Sequence, residues 1–126
     1  MTLDSSALVA ILFGEPGYLD LVDRILEADV VRIGAPTLTE TAIVITARRK
    51  TPMRRELAGL LRELDVTTVH FTTEHHDAAW RAYERYGRGR HKAGLNFGDC
   101  LSYAVAKLAA DELLFVGDDF RHTDIG

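Results

Sequence analysis

The chain has 126 residues, 47% of them hydrophobic and 27% charged, enough for one globular domain with a buried core of its own. A formal net charge of −4 excludes a wholly electrostatic nucleic-acid binder, and the lone cysteine, Cys100, excludes an intramolecular disulfide and every cysteine-based zinc pattern. The longest unbroken apolar run, Ala7 to Phe13, is too short for a membrane span and is preceded by Asp4 rather than a basic segment, so no membrane association or signal peptide is expected and the location reads as cytoplasmic.

Thr2-Leu3 leads as a short strand into Asp4, Ser5-Ser6 offers hydroxyls for a helix start, and Ala7 to Phe13 is a short apolar helix. Gly14-Glu15-Pro16-Gly17 breaks it. A second helix over Tyr18 to Ala28 aligns Leu19, Val22, Ile25 and Leu26 on one face, and Val30 to Ile33 reads as a strand closed by Gly34 and Pro36. Thr37-Leu38-Thr39-Glu40 has the capping-box pattern, which makes Thr41 to Ala47 a helix despite its β-branched residues, with Arg48-Arg49-Lys50 suited to its end. Met53 to Leu64 is amphipathic through Leu57, Leu60, Leu61 and Leu64. Val66 to Phe71 is a strand, and Thr72 or Thr73 starts a helix that runs to Tyr86 and packs Ala79, Trp80 and Tyr83.

Gly87 to Gly94 is a basic loop punctuated by glycines. Asn96 is a good N-cap, which puts Asp99 at the third position of the next helix, whose buried stripe is Leu101, Ala104, Val105, Leu108 and Ala109. Leu113 to Val116 is a buried strand that ends at Gly117-Asp118-Asp119. Strands alternating with helices predict an α/β fold: a mostly parallel sheet of four or five short strands, covered on both faces.

In such a sheet, functional groups collect beyond the carboxyl ends of the strands and at the helix starts that follow. Asp4 closes the first strand, Asp118 follows the last, and Glu40 and Asp99 fall in first helical turns, so all four carboxylates share one edge. Each also has an ordinary explanation as a capping or turn acid. Brought together, however, they would repel one another unless a cation neutralised them, and an all-oxygen set suits Mg²⁺ or Mn²⁺. Ser6 could add a hydroxyl to the site, and Asn96 could hold Asp99. Such a centre suits phosphodiester hydrolysis. The loop residues Arg88, Arg90 and Lys92 could then hold flanking phosphates, unless they form only a solvated face. The five histidines lack zinc-ligand spacing, and Cys100 lies beside the buried stripe as a core thiol.

Asp4-Ser5-Ser6-Ala7, Glu40 in its Thr-rich helix start, Gly89 through Cys100 with Asn96-Phe97-Gly98-Asp99 at its heart, and Leu114 through Phe120 with Thr123-Asp124-Ile125 resemble PIN-domain toxins of the VapC type. The likeness spans the chain as a single PIN domain, residues 1–126, and implies a three-layer α/β/α fold. It implies a Mg²⁺- or Mn²⁺-dependent endoribonuclease that cuts structured RNA such as transfer or ribosomal RNA. A toxin homodimer and neutralisation in a hetero-oligomer with a VapB-type antitoxin are further implications. On motif positions Asp4, Glu40 and Asp99 carry over as catalytic acids, with Asp4 and Asp99 as metal ligands. Either Asp118 or Asp119 can fill the fourth position, and Asp118 is preferred because it comes first after the strand. The competing readings are a PIN-like domain that binds RNA or a protein without cutting, and a metal-dependent phosphatase with no use for the basic loop.

Overall fold

A computed structural model describes residues 1–126. Four strands, β1 (Thr2–Leu3), β2 (Val31–Gly34), β3 (Val66–Val69) and β4 (Leu113–Leu114), form one parallel sheet in the order β3-β2-β1-β4. Six helices connect and cover it: α1 (Ser5–Leu12), α2 (Tyr18–Glu27), α3 (Ala35–Arg49), α4 (Arg54–Glu63), α5 (Thr73–Tyr86) and α6 (Phe97–Ala109). The chain builds β1, β2 and β3 outward in one direction and then returns to lay β4 on the other side of β1. That reversal leaves a crevice beyond the carboxyl ends of β1 and β4, the place where open α/β sheets bind ligands. None of the helices is long and apolar enough to cross a membrane.

Two cores flank the sheet, because successive residues of a strand point to opposite faces. Leu113 packs with α5 and α6 beside Tyr86, Leu95 and Tyr103, whereas Leu114 joins Leu3, Leu8, Ile25 and Ile33 beneath α1 and α2. The apolar sequence Ala7-Leu8-Val9-Ala10 is helical and wholly buried because α1 lies in the interior rather than over it.

Several faces differ from the expected ones. In α2 the buried pair is Leu21 and Ile25, one turn apart, and Leu19 and Leu26 are exposed. In α5 the inward face is His75, Ala79, Ala82 and Tyr86, leaving Trp80 and Tyr83 outside. Leu108 of α6 is likewise exposed. Periodicity alone cannot choose between two neighbouring apolar stripes, and here the small residues Ala79 and Ala82 are the ones that let α5 approach α6 closely.

The start of α3 differs from the expected one. The helix begins at Ala35, behind Gly34 as N-cap and with Pro36 in its first turn, so Thr37 and Glu40 form no capping box. Proline suits that turn, since its missing N–H would have had no partner there. Thr41 and Thr46 fold back onto the carbonyl one turn earlier, Thr41 onto Thr37 at 2.9 Å and Thr46 onto Ala42 at 2.7 Å, so these two hydroxyls are satisfied within the helix.

Candidate active site

Asp4 leaves β1 at the switch point and serves as N-cap of α1, its carboxylate accepting the Ser6 N–H at 3.1 Å and the Ser6 hydroxyl at 2.6 Å. The Ser6 oxygen in turn accepts the Val116 N–H at 3.0 Å, joining the ends of β1 and β4. The other Asp4 oxygen accepts the hydroxyl of Ser102 at 2.6 Å. Because Ser102 has one proton and gives it to Asp4, the Thr37 hydroxyl 3.4 Å away must be the donor in that pair. Thr37, Ser102 and Asp4 thus form a directed buried chain from α3 through α6 to β1. No local sequence pattern announces Ser102, whose partner is 98 residues away; the one clue is its place a turn after Asp99 on the same helix face.

Asp99 lies where expected, third in α6 within a complete capping box: its N–H goes to the Asn96 side chain at 2.9 Å and its carboxylate accepts the Asn96 N–H at 3.0 Å. Glu40, now in the second turn of α3, reaches Gly98, where a Cβ would stand 3.0 Å from the Glu40 Cδ and Oε1. Glycine at this position lets the Glu40 carboxylate lie directly beside the start of α6.

Their electrostatics tie the acids together. The Asp99 carboxyl is pushed from 3.8 up to about 6, first by burial and then by the charges of Asp4, Asp119 and Glu40, against the pull of the Asn96 N–H. Glu40 is also raised, by burial foremost and by Asp4, with the Ser5 hydroxyl opposing. Asp99 thus lies within reach of three other negative charges and Glu40 within reach of one, a state a bound cation would relieve. Asp118 is highly exposed and pairs with Arg121 at 3.6 Å. As the side chains lie, no three His, Cys, Asp or Glu groups are close enough to hold one ion between them. The donor set is all oxygen and its repulsion favours positive charge, so in chemistry it fits a hard divalent cation.

Beside the acids the chain forms a tight basic loop. A bridge pairs Gly87 with Leu95, Gly89 and Gly94 turn at φ of 82° and 62°, and His91 Nδ1 accepts the Ala93 N–H at 3.1 Å. The His91 ring stands edge-on to Tyr86, 5.1 Å between centroids. Arg88, Arg90 and Lys92 are all exposed on this loop, and Arg90 Nε donates to the Glu84 carbonyl at 3.1 Å. Cys100 is buried and burial pushes its thiol up to about 11, which makes it a core residue rather than a nucleophile. On the adjoining surface Ile43, Trp80, Tyr83 and Phe97 line an apolar groove of about 860 Å³ between α3, α5 and α6.

A parallel α/β sheet with interacting carboxylates at its switch point and a basic loop alongside defines a candidate acid-centred phosphodiesterase class of site. The PIN-domain family model matches residues 1–126. Ribonuclease VapC30 of Mycobacterium tuberculosis is 47% identical over 126 residues, covering 99% of this chain and 95% of that protein. Ribonuclease VapC of Mycolicibacterium smegmatis is 48% identical over 125 residues, covering 99% and 97%. In fold the chain is similar to the crystal structure of Mycobacterium tuberculosis VapC20, a sarcin-ricin loop cleaving toxin, with a TM-score of 0.75, 20% identity, and coverage of 95% and 92%. The chain belongs to the PIN-domain family, in its VapC-type group.

Proposed function

We propose that this chain is a Mg²⁺- or Mn²⁺-dependent endoribonuclease toxin that hydrolyses phosphodiester bonds in structured RNA, such as transfer or ribosomal RNA, and is neutralised by a VapB-type antitoxin. The observation that carries the reading is the raised carboxyl of Asp99, pushed up by burial and by the charges of Asp4, Asp119 and Glu40, in a chain of the VapC-type group. These four residues would hold the cation. When bound, it would supply Lewis acidity for water activation and charge stabilisation on the phosphate. Ser6 and Ser102 fix the Asp4 oxygens, and the Asn96 N–H fixes Asp99, so the acids are oriented by hydrogen bonds before any ligand arrives.

Asp119 takes the fourth acidic position in this reading, ahead of Asp118, because its charge reaches Asp99 while Asp118 turns to Arg121. Arg88, Arg90 and Lys92 bind backbone phosphates of the RNA. The exposed groove at Trp80 and Phe97 is an apolar surface of the kind that marks protein–protein contacts, which supports a homodimer. The functional test is sequencing of RNA 5′ ends after brief expression in cells. New ends at defined positions in one class of structured RNA, absent with Asp99→Asn, are expected. An unchanged population of ends would favour a domain that binds without cutting.

A further inference from the structure

The segment after β4 that carries Asp119 is tied down at a residue the site itself does not use. It leaves the strand through Gly117, at φ 106°, and forms a short 3-10 turn over Asp119–His122. Phe120 plugs that turn into the core against Phe115, with centroids 5.1 Å apart. Just past the turn, the Asp124 carboxylate accepts the Tyr103 hydroxyl at 2.7 Å and the Lys107 ammonium at 2.5 Å, and the Asp124 N–H donates to the Tyr86 hydroxyl at 3.2 Å. Two buried tyrosines thus direct their hydroxyls to a single residue of the tail.

The placement of those partners is informative. Tyr103 and Lys107 stand one and two turns after Asp99 on α6, so all three share a helix face. Tyr86 ends α5, and its ring packs against the His91 that closes the basic loop. An exposed Lys–Asp pair alone contributes little to stability. A polar clamp on two buried phenols has a more specific consequence, because it fixes where a turn sits relative to the helix beneath it. We propose that Asp124 is a positioning residue of the candidate active site: by clamping the tail to Tyr103 and Tyr86, it sets where the turn that carries Asp119 lies relative to Asp99 on α6, the two acids that would share a cation. This rests on the reading of the acids as a divalent-cation site.

The test is Mg²⁺ titration of the metal-free protein by calorimetry, together with amide exchange of residues 117–124, for wild type, Asp124→Ala and Tyr103→Phe. A remote variant at a partly buried position of α4, Leu61→Ala, controls for lost stability, and all are measured well below their melting points. Asp124→Ala and Tyr103→Phe should weaken Mg²⁺ binding about 10- to 100-fold, the range seen for residues that orient metal ligands, and speed exchange across the turn. Leu61→Ala should keep the wild-type affinity. Wild-type binding with equal affinity in both tail variants would overturn the role of Asp124 alone. A wild type that binds neither Mg²⁺ nor Mn²⁺ would overturn the cation reading, and this inference with it.

Discussion

Replacing Asp99 with Asn removes one charge from the acidic cluster and leaves a side-chain oxygen to accept the Asn96 N–H. An acid whose folded-state pKa lies above its unfolded value makes the folded protein lose stability as pH rises between the two, here from 3.8 to about 6. At 1.36 kcal/mol per pH unit that rise corresponds to at most about 3 kcal/mol. Water reaches part of this carboxylate, and screening reduces the usable figure to about 1–2 kcal/mol. Loss of the negative charge at the start of α6 works the other way, by about 0.3–1 kcal/mol. The balance leaves Asp99→Asn more stable than wild type by about 1 kcal/mol at pH 8 without metal, or about 3–6 °C in melting temperature for a chain of this length. Below pH 4 wild-type Asp99 is protonated and the advantage disappears. The assay is a series of thermal melts of both proteins in EDTA from pH 4 to pH 8. A melting difference that stays flat across this range, or a variant that melts lower at pH 8, would refute the electrostatic reasoning.

Ser102→Ala should cost about 1–3 kcal/mol in denaturant unfolding, because the Thr37 hydroxyl and one Asp4 oxygen lose their buried partner; RNA cleavage should fall about 10- to 100-fold. Gly98→Ala should hold or gain up to about 1 kcal/mol in helix stability, yet lower Mg²⁺ affinity, because the new methyl displaces the Glu40 carboxylate. Calorimetry and melting on the same sample separate the two effects. Replacing Arg88, Arg90 and Lys92 with Ala should weaken RNA binding and reduce the salt dependence of log K by about 0.7–0.9 for each phosphate no longer neutralised, with melting unchanged. An unaltered salt slope would make the loop a solvated face.

The parts of the fold that were legible in the sequence are those set by local chemistry. Asn96 and Asp99 announce the start of α6 because a capping box is complete within four residues. Asp4 is legible as a strand-end acid for the same reason, its first partner being two residues away. The start of α3 misleads because two start signals overlap there: Thr37 and Glu40 have the right spacing, but Pro36 and Gly34 set the turn earlier and Thr37 turns inward to Ser102. The outward faces of Trp80 and Tyr83 depend on how closely α5 approaches α6, which no single-helix pattern contains. Ser102 and Asp124 are hidden for a related reason. Ser102 bonds across nearly the whole chain to Asp4, and Asp124 reaches back 21 residues to Tyr103. Asp118 and Asp119 are adjacent acids after one strand, and only the path of the following turn distinguishes their surroundings.

The coupled acids as a metal-dependent RNA-cutting centre are tested most directly by cleavage with the purified, antitoxin-free protein. One RNA identified by its new 5′ ends is incubated with wild type and with Asp99→Asn, in Mg²⁺, in EDTA, and in EDTA followed by excess Mg²⁺. Wild type should cleave in Mg²⁺, not in EDTA, and again when Mg²⁺ is restored, while Asp99→Asn should cut almost nothing under any condition. Wild-type cleavage that persists in EDTA, or cleavage by Asp99→Asn at the wild-type rate, would contradict a metal-dependent acidic centre.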